Sequence, residues 1–293
     1  MGKVTVIVPT IGRNSLSDCL NSLFRQSRRP DEVIVVDNSK DKKARHLVPD
    51  NVRYVHEKKR GAGYARNRGI KAATNDTLCF IDDDCVASIN WLKELSGSFM
   101  ENKDAIIMGD NENGNEVNLL NCVEYYDEQL LFKSDLYSFG KKTVSFWLDS
   151  KNFIVSKKLL EKNGIYFNDF HLIHDLDFAL QAHSNKITIF YCSKAKVAHF
   201  GERNLINHFG RESIIGRENA KMSQKWRIPN KNLAKALFSR KFLWKKRWES
   251  QILKHNLTQK VLRKGDLFFR IGFYVLLATN RVVNFLSYYL LRY

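Results

Sequence analysis

Apolar residues follow two alternating patterns over the first hundred positions. Short, nearly continuous runs at Val4-Thr5-Val6-Ile7-Val8, Glu32-Val33-Ile34-Val35-Val36, Val52–Val55 and Leu78-Cys79-Phe80-Ile81 predict buried strands. Between them, Leu16, Leu20, Leu23 and Phe24 share one face of a helix predicted from Ser15 to Gln26. Gly61–Ala73 reads as a glycine loop opening a helix, and a further helix is predicted over Ser88–Met100. Strands this apolar, separated by helices, imply an α/β fold with a parallel sheet covered on both faces. Downstream the pattern weakens, and residues 109–150 read as irregular and rich in Asn and aromatics. A strand at Asn152–Val155, helices near Lys157–Lys162 and His174–His183, and strands at Lys186–Tyr191 and Ala195–His199 follow. After Gly201 the pattern is helical almost to the end.

Three of the early strands end in polar clusters: Pro9-Thr10, Asp37-Asn38 and Asp82-Asp83-Asp84. Ligands of open α/β sheets bind outside the carboxyl ends of the strands, so these clusters are expected on one rim. Three adjacent acids at the exit of a buried strand repel one another unless a cation or hydrogen-bond donors hold them. Mg²⁺ or Mn²⁺ suits carboxylate and phosphate oxygens. Taken alone, the triad reads equally well as a solvated turn starting the next helix.

A chain of 293 residues with 44% hydrophobic positions can bury a large core, alone or with an appendage. The net charge of +17 divides unevenly. Residues 1–202 carry 28 Lys/Arg against 27 Asp/Glu, whereas 203–293 carry 20 against 4. That break divides the chain into a domain at 1–202 and a basic helical region at 203–293. The basic excess favours an anionic surface. The five cysteines are scattered without a CxxC pair, as expected of buried free thiols in a reducing compartment. The first strand pattern begins at Val4, which leaves no room for a signal peptide, and Val6 stands where a myristoylation motif needs Ser or Thr. The sequence is therefore expected to be cytoplasmic.

The segments Val4–Thr10, Val33–Ser39, Gly61-Ala-Gly-Tyr-Ala-Arg-Asn-Arg-Gly-Ile70, Ile81–Asp84, His174-Asp175-Leu176-Asp177 and Val197–His199 occur in an order and spacing that resembles the GT-A-fold glycosyltransferases of family 2. The likeness covers roughly residues 3–200. It implies a Rossmann-like, mostly parallel sheet with a nucleotide-sugar half at 1–108, an acceptor half at 109–202, and a helical C-terminal appendage. By resemblance, Pro9, Thr10 and Asp37 lie on the nucleoside side, and Gly61 and Gly63 let the backbone approach the donor. Arg66 would pair with a phosphate or position the acids. Asp84 would hold Mn²⁺ or Mg²⁺ most directly, Asp82 or Asp83 would bind ribose or a metal-bound water, and Asp82 and His199 are the further candidate metal ligands. Asp175 would be the base that deprotonates the acceptor hydroxyl, with Asp177 the second choice. His174 stands where the family usually has Glu, and Gln181 where an Arg is common. Gly61-Ala-Gly63 also half-matches a dinucleotide fingerprint, but Arg66 occupies the place of its third glycine. The spacing from His171 to Asp177 could suggest a metallohydrolase, but no partner cluster accompanies it.

The resemblance implies an inverting transfer of sugar from a nucleotide-sugar, with a UDP-sugar suggested by a carboxylate at Asp37. The expected acceptor is a lipid-linked or growing cell-surface glycan. Alternatives are a nucleotidyltransferase on a related fold, or a noncatalytic membrane-associated scaffold.

Residues 231–264 carry eleven Lys/Arg and one acid among Leu, Phe and Trp. Arg263, Arg270, Arg281 and Arg292 return to one helix face at about 100° per residue, leaving a broad apolar face. No uncharged run there, Ile271–Asn280 included, reaches the about 20 residues a bilayer span needs. These features predict helices lying on an anionic membrane surface, peripheral at its inner face, or packed on another part of the chain or a second subunit. A nucleic-acid partner would explain the charge but not the apolar face, so none is expected.

Overall fold

The structure is a computed structural model that describes residues 2–115, 136–140, 142–201, 205–227 and 279. Two compact units are distinguished: Met1–Asn115 with Glu128–Gly201, and Glu116–Asp127 with Glu202–Tyr293.

In the first unit the chain runs through β1 (Val4–Thr10), α1 (Leu16–Phe24), β2 (Glu32–Asp37), β3 (Arg53–His56), α2 (Ala62–Ala72), β4 (Thr77–Ile81), β5 (Cys85–Ala87), α3 (Trp91–Met100) and β6 (Ile106–Asn113). It continues through β7 (Tyr137–Phe139), β8 (Lys142–Ser145), β9 (Asn152–Ser156), α4 (Lys157–Lys162), α5 (His174–Ser184) and β10 (Ile189–His199). Among the described residues these strands form one sheet in the order β3-β2-β1-β4-β9-β6-β10-β8-β7, with β5 paired to β10. Strands β3, β2, β1 and β4 are parallel, as the early pattern predicts. Strand β9 runs antiparallel between β4 and β6, and β6 is parallel to β10.

The continuous apolar character of β1 follows from burial on both faces. Val4, Val6 and Val8 join a core with Leu16, Leu20 and Leu23 of α1 and Trp91, Leu95 and Phe99 of α3. Ile7, Ile34 and Val36 point the other way, into a core with Ala65 and Ile70 of α2 and Phe178 and Ala182 of α5. Helix α2 lies so close to β1 that a Cβ on Gly69 would sit 2.4 Å from Ile7 Cγ2. Gly69→Ala is therefore expected to destabilise the protein by about 1–3 kcal/mol through overpacking, read as a lower urea midpoint with an unchanged slope.

Several elements differ from the sequence expectation. Helix α3 starts at Trp91 rather than Ser88, because Cys85–Ala87 pair as β5 with Ala87↔Val197 and Cys85↔His199. The segment read as irregular contains the end of β6 and the hairpin β7–β8, short strands with little alternation to mark them. The two strands expected at 186–199 are one, β10, whose register shifts between Cys192 and Lys196. Cys19, Cys79 and Cys85 are buried free thiols, as expected.

In the second unit the described helix is α6 (Leu205–Lys225). Among the described residues no helix is long and apolar enough to cross a membrane. The arginine stripe and the basic stretch at 231–264 lie outside the described residues.

Candidate active site

The carboxyl ends of β1, β2 and β4 do form one rim. Thr10 stands opposite Asp37 in register, and its Oγ1 donates to Asp83 Oδ2 at 2.5 Å. Pro9 is buried beside it, opposite Val36, beyond the last paired residue of β1 with β4, so its missing N–H costs no ladder bond there. Arg13 Nη1 donates to Asp83 Oδ1 at 2.6 Å and to Asp84 Oδ2 at 3.0 Å. Burial pushes the Asp83 carboxyl up to about 6, against the pull of Arg13. The triad is therefore not a plain solvated turn: its acids are held by specific donors.

The three acids have separate partners. Asp82 Oδ1 accepts from Arg66 Nη2 at 2.5 Å, and the Arg66 side chain is only 1% exposed. Asp84 lies 3.5 Å from His199 Nε2. Burial pushes Asp84 up, but the hydrogen bond and charge of His199, then Arg13, outweigh it and hold the carboxyl well below the usual range. The β5–β10 pairing creates this proximity, and Phe200 N–H donates to the Asp84 carbonyl at 2.8 Å to close it.

Among the described residues no group of three or more His, Cys, Asp or Glu converges as a metal cage. Of the three expected ligands, Asp84 and His199 are together, whereas Asp82 Oδ1 is bound by Arg66. The pair still fits Mn²⁺ or Mg²⁺. Such ions are commonly bound through one or two carboxylates with substrate phosphates and water supplying the rest. The Arg13 guanidinium already rests on Asp83 and Asp84, so the acids accept a cation at this place.

Asp37 sits on the rim as expected, but its carboxylate organises the loop after β2. Oδ1 accepts from Ser39 N at 2.8 Å, and Oδ2 from Ala44 N at 3.0 Å and the Tyr54 hydroxyl at 2.9 Å. Gly61 adopts φ +131°, a backbone region open to glycine, and its N–H donates to Asn38 Oδ1 at 2.6 Å. Gly63 answers to protein packing: a Cβ there would meet the Asn168 carbonyl oxygen at 2.8 Å.

Asp175, the expected base, stands in the first turn of α5, where the helix N-terminus favours a negative charge. Burial pushes its carboxyl up to about 7, the Asp149 charge adds to this, and Lys151 opposes it. Asp177 is fully buried and accepts from Asn168 Nδ2 and, at 2.9 Å, from Gln181 Nε2. Gln181 also exchanges bonds with the Tyr166 backbone, at 2.9 and 3.2 Å. Asp177 and Gln181 thus hold the 166–168 loop.

Sequence reasoning missed Arg13, Asp149 and Lys151. The register Ile81↔Asn152 sets residues 149–151 beside the acids that follow β4. Lys151 Nζ lies 3.1 Å from Asp149 Oδ2, which also accepts from Asn111 Nδ2. No motif marks these residues. Knowing that β9 pairs antiparallel with β4 would have found them, but strand order is not written in local pattern.

Comparison with known proteins gives this arrangement its class. The family model described as "Glycosyl transferase family 2" matches residues 5–164, more than half of the chain. The chain belongs to glycosyl transferase family 2, and its fold is the Rossmann-like GT-A fold. It is 32% identical over 116 residues to the glucosyl-dolichyl phosphate glucuronosyltransferase of Haloferax volcanii, covering 36% of this chain and 37% of that protein. It is also 32% identical over 116 residues to the succinoglycan biosynthesis protein ExoM of Rhizobium meliloti, across 38% of that protein. The matches thus span little more than a third of these relatives' lengths. Among solved structures, Staphylococcus aureus TarS superposes with a TM-score of 0.52 at 21% identity, covering 98% of this chain and 54% of that one, a likeness of fold.

Proposed function

We propose that the protein is an inverting, metal-dependent glycosyltransferase that moves a sugar from a nucleotide-sugar, a UDP-sugar by preference, to a hydroxyl of a lipid-linked or growing surface glycan. The observation carrying this reading is the convergence on one rim of Thr10, the Asp82–Asp84 triad, Arg66 and His199, beside a helix that begins at His174-Asp175. The names of the two relatives, one acting on a glucosyl-dolichyl phosphate and one in succinoglycan biosynthesis, support a glycan acceptor.

In this account residues 1–108 bind the donor, 109–202 receive the acceptor, and 203–293 form a basic appendage. Asp84 and His199 would hold Mn²⁺ or Mg²⁺, which would supply positive charge toward a departing diphosphate. Arg66 fixes Asp82 while presenting a buried cation to the same rim. Asp175 accepts the proton of the acceptor hydroxyl as that oxygen bonds to the anomeric carbon. The nucleoside diphosphate leaves from the opposite face, so one in-line displacement inverts the anomeric centre.

A base must be ionised to act. With its carboxyl raised to about 7, Asp175 gains its reactive form as pH rises through neutrality. The acceptor kcat/KM is therefore expected to climb about tenfold per pH unit below that point and level off above it, as read from a pH–rate profile. Thermal-shift titration with a panel of nucleotide-sugars, with and without Mn²⁺, tests the donor assignment. Stabilisation by UDP-sugars that requires the metal is the expected result, and metal-independent or absent stabilisation would remove it.

The 20 Lys/Arg of residues 203–293 support a peripheral site at the inner face of the membrane. Full-length protein is expected to sediment with anionic liposomes and a chain ending at Arg227 to stay in the supernatant. Equal binding by both would defeat the membrane assignment.

A further inference from the structure

Arg66 spans the two halves of the site. Its Nη2 donates to Asp82 Oδ1 at 2.5 Å, and its Nη1 lies 2.9 Å from His174 Nε2. Ser150 Oγ approaches the same ring nitrogen at 3.3 Å. A guanidinium only donates, so His174 Nε2 must carry its lone pair, and the ring is neutral with its proton on Nδ1. Burial first, and then the Arg66 charge, also hold this imidazole well below its usual pKa. The pair is locked sterically as well. The Arg66 guanidinium lies 5.5 Å over the Phe167 ring, and Phe167 meets the His174 ring edge-on at 5.8 Å. Asn67 exchanges two hydrogen bonds with the Phe167 backbone, at 2.6 and 3.0 Å, fixing that wall to α2.

We propose that His174 is a positioning residue: as a neutral acceptor for Arg66 it ties the first turn of α5, and with it Asp175, to the donor-side Asp82. The proposal rests on the reading of Asp175 as the base. A carboxylate at position 174 would compete with Asp82 for the guanidinium charge. A neutral ring takes one hydrogen bond and leaves that charge to Asp82 and to an arriving diphosphate. The relay Asp82–Arg66–His174 therefore couples donor and acceptor sides through geometry, without adding a second negative group.

The test uses the full chain and two variants. His174→Phe keeps an aromatic ring but removes the acceptor nitrogen, and His174→Gln restores a neutral acceptor. Sugar transfer by the Phe variant is expected to fall about 100-fold, the scale of a base displaced by about 1 Å. Hydrolysis of the same nucleotide-sugar by water and Mn²⁺-dependent UDP binding should stay near wild type, and the Gln variant should recover most of the transfer. Long-range ¹⁵N–¹H spectra of histidine-labelled wild-type protein, with the His174 signal assigned by its loss in His174→Gln, should show the Nδ1–H tautomer. Unchanged transfer in the Phe variant would overturn the proposal. So would transfer and hydrolysis falling together with Tm, or a ring found protonated on Nε2. If the wild type turns over no nucleotide-sugar, the transferase reading fails, and the tautomer still decides the Arg66–His174 relay.

Discussion

Asp175→Asn is expected to reduce sugar transfer by about 10³-fold while leaving metal-dependent donor binding unchanged. The magnitude is that of losing a positioned general base, typically about 10²–10⁴-fold. The direction follows from placement. Asp175 lies in the first turn of α5, and its carboxylate accepts a local bond from Leu176 N–H at 2.9 Å. Its removal leaves Thr10, Arg66, Asp84 and His199 in place. Asp177 supplies the control. It is buried and holds Asn168 and Gln181, so Asp177→Asn should cost stability, about 1–3 kcal/mol for a disturbed buried polar network, rather than kcat. Steady-state kinetics with UDP titration monitored by thermal shift separates the two. A larger rate loss at Asp177 than at Asp175 would reverse the assignment of the base.

The second large effect belongs to Asp84. Asp84→Asn is expected to abolish the Mn²⁺ dependence of donor binding and to lower transfer by about 10²–10³-fold, the scale of losing one preorganised electrostatic group. Asp84 is the acid nearest His199 at 3.5 Å, and it shares Arg13 with Asp83. Asn keeps the shape but loses the charge that both a cation and Arg13 require. Asp82→Asn should behave differently, because Asp82 acts through Arg66 at 2.5 Å. Its loss should raise the donor KM while Mn²⁺ is still needed. Calorimetry of UDP binding with and without Mn²⁺ checks both variants. Retained metal dependence in Asp84→Asn would move the metal elsewhere.

The first half of the fold was legible because its strands are buried on both faces. Uninterrupted runs such as Val4–Val8 and Val33–Val36 leave few other readings, and their polar ends fell where Thr10, Asp37 and the acids are found. Strands β5, β7 and β8 were hidden for a physical reason: three or four residues cannot display a period. Missing β5 concealed the most consequential contact, since its pairing with β10 brings His199 beside Asp84. The motif pattern named His199 without saying what would hold it. Residue roles that depend on side-chain direction were also out of reach. Asp82 and Asp84 are two residues apart, yet one meets Arg66 and the other His199. Asp175 and Asp177 both read as first-turn acids, and only packing separates the half-buried one from the one bound by Asn168. Gly63 read as room for the donor and proved to be room for the Asn168 carbonyl.

This rim is expected to cleave the bond between a sugar and a nucleoside diphosphate. Incubating full-length protein with UDP-sugars, Mn²⁺ and a lipid-linked or oligosaccharide acceptor, and analysing products by mass spectrometry and NMR, tests it most directly. The expected result is release of UDP in step with a glycosylated acceptor of inverted anomeric configuration, lost in both Asp84→Asn and Asp175→Asn. Release of pyrophosphate, or a product that retains the donor's configuration, would contradict it.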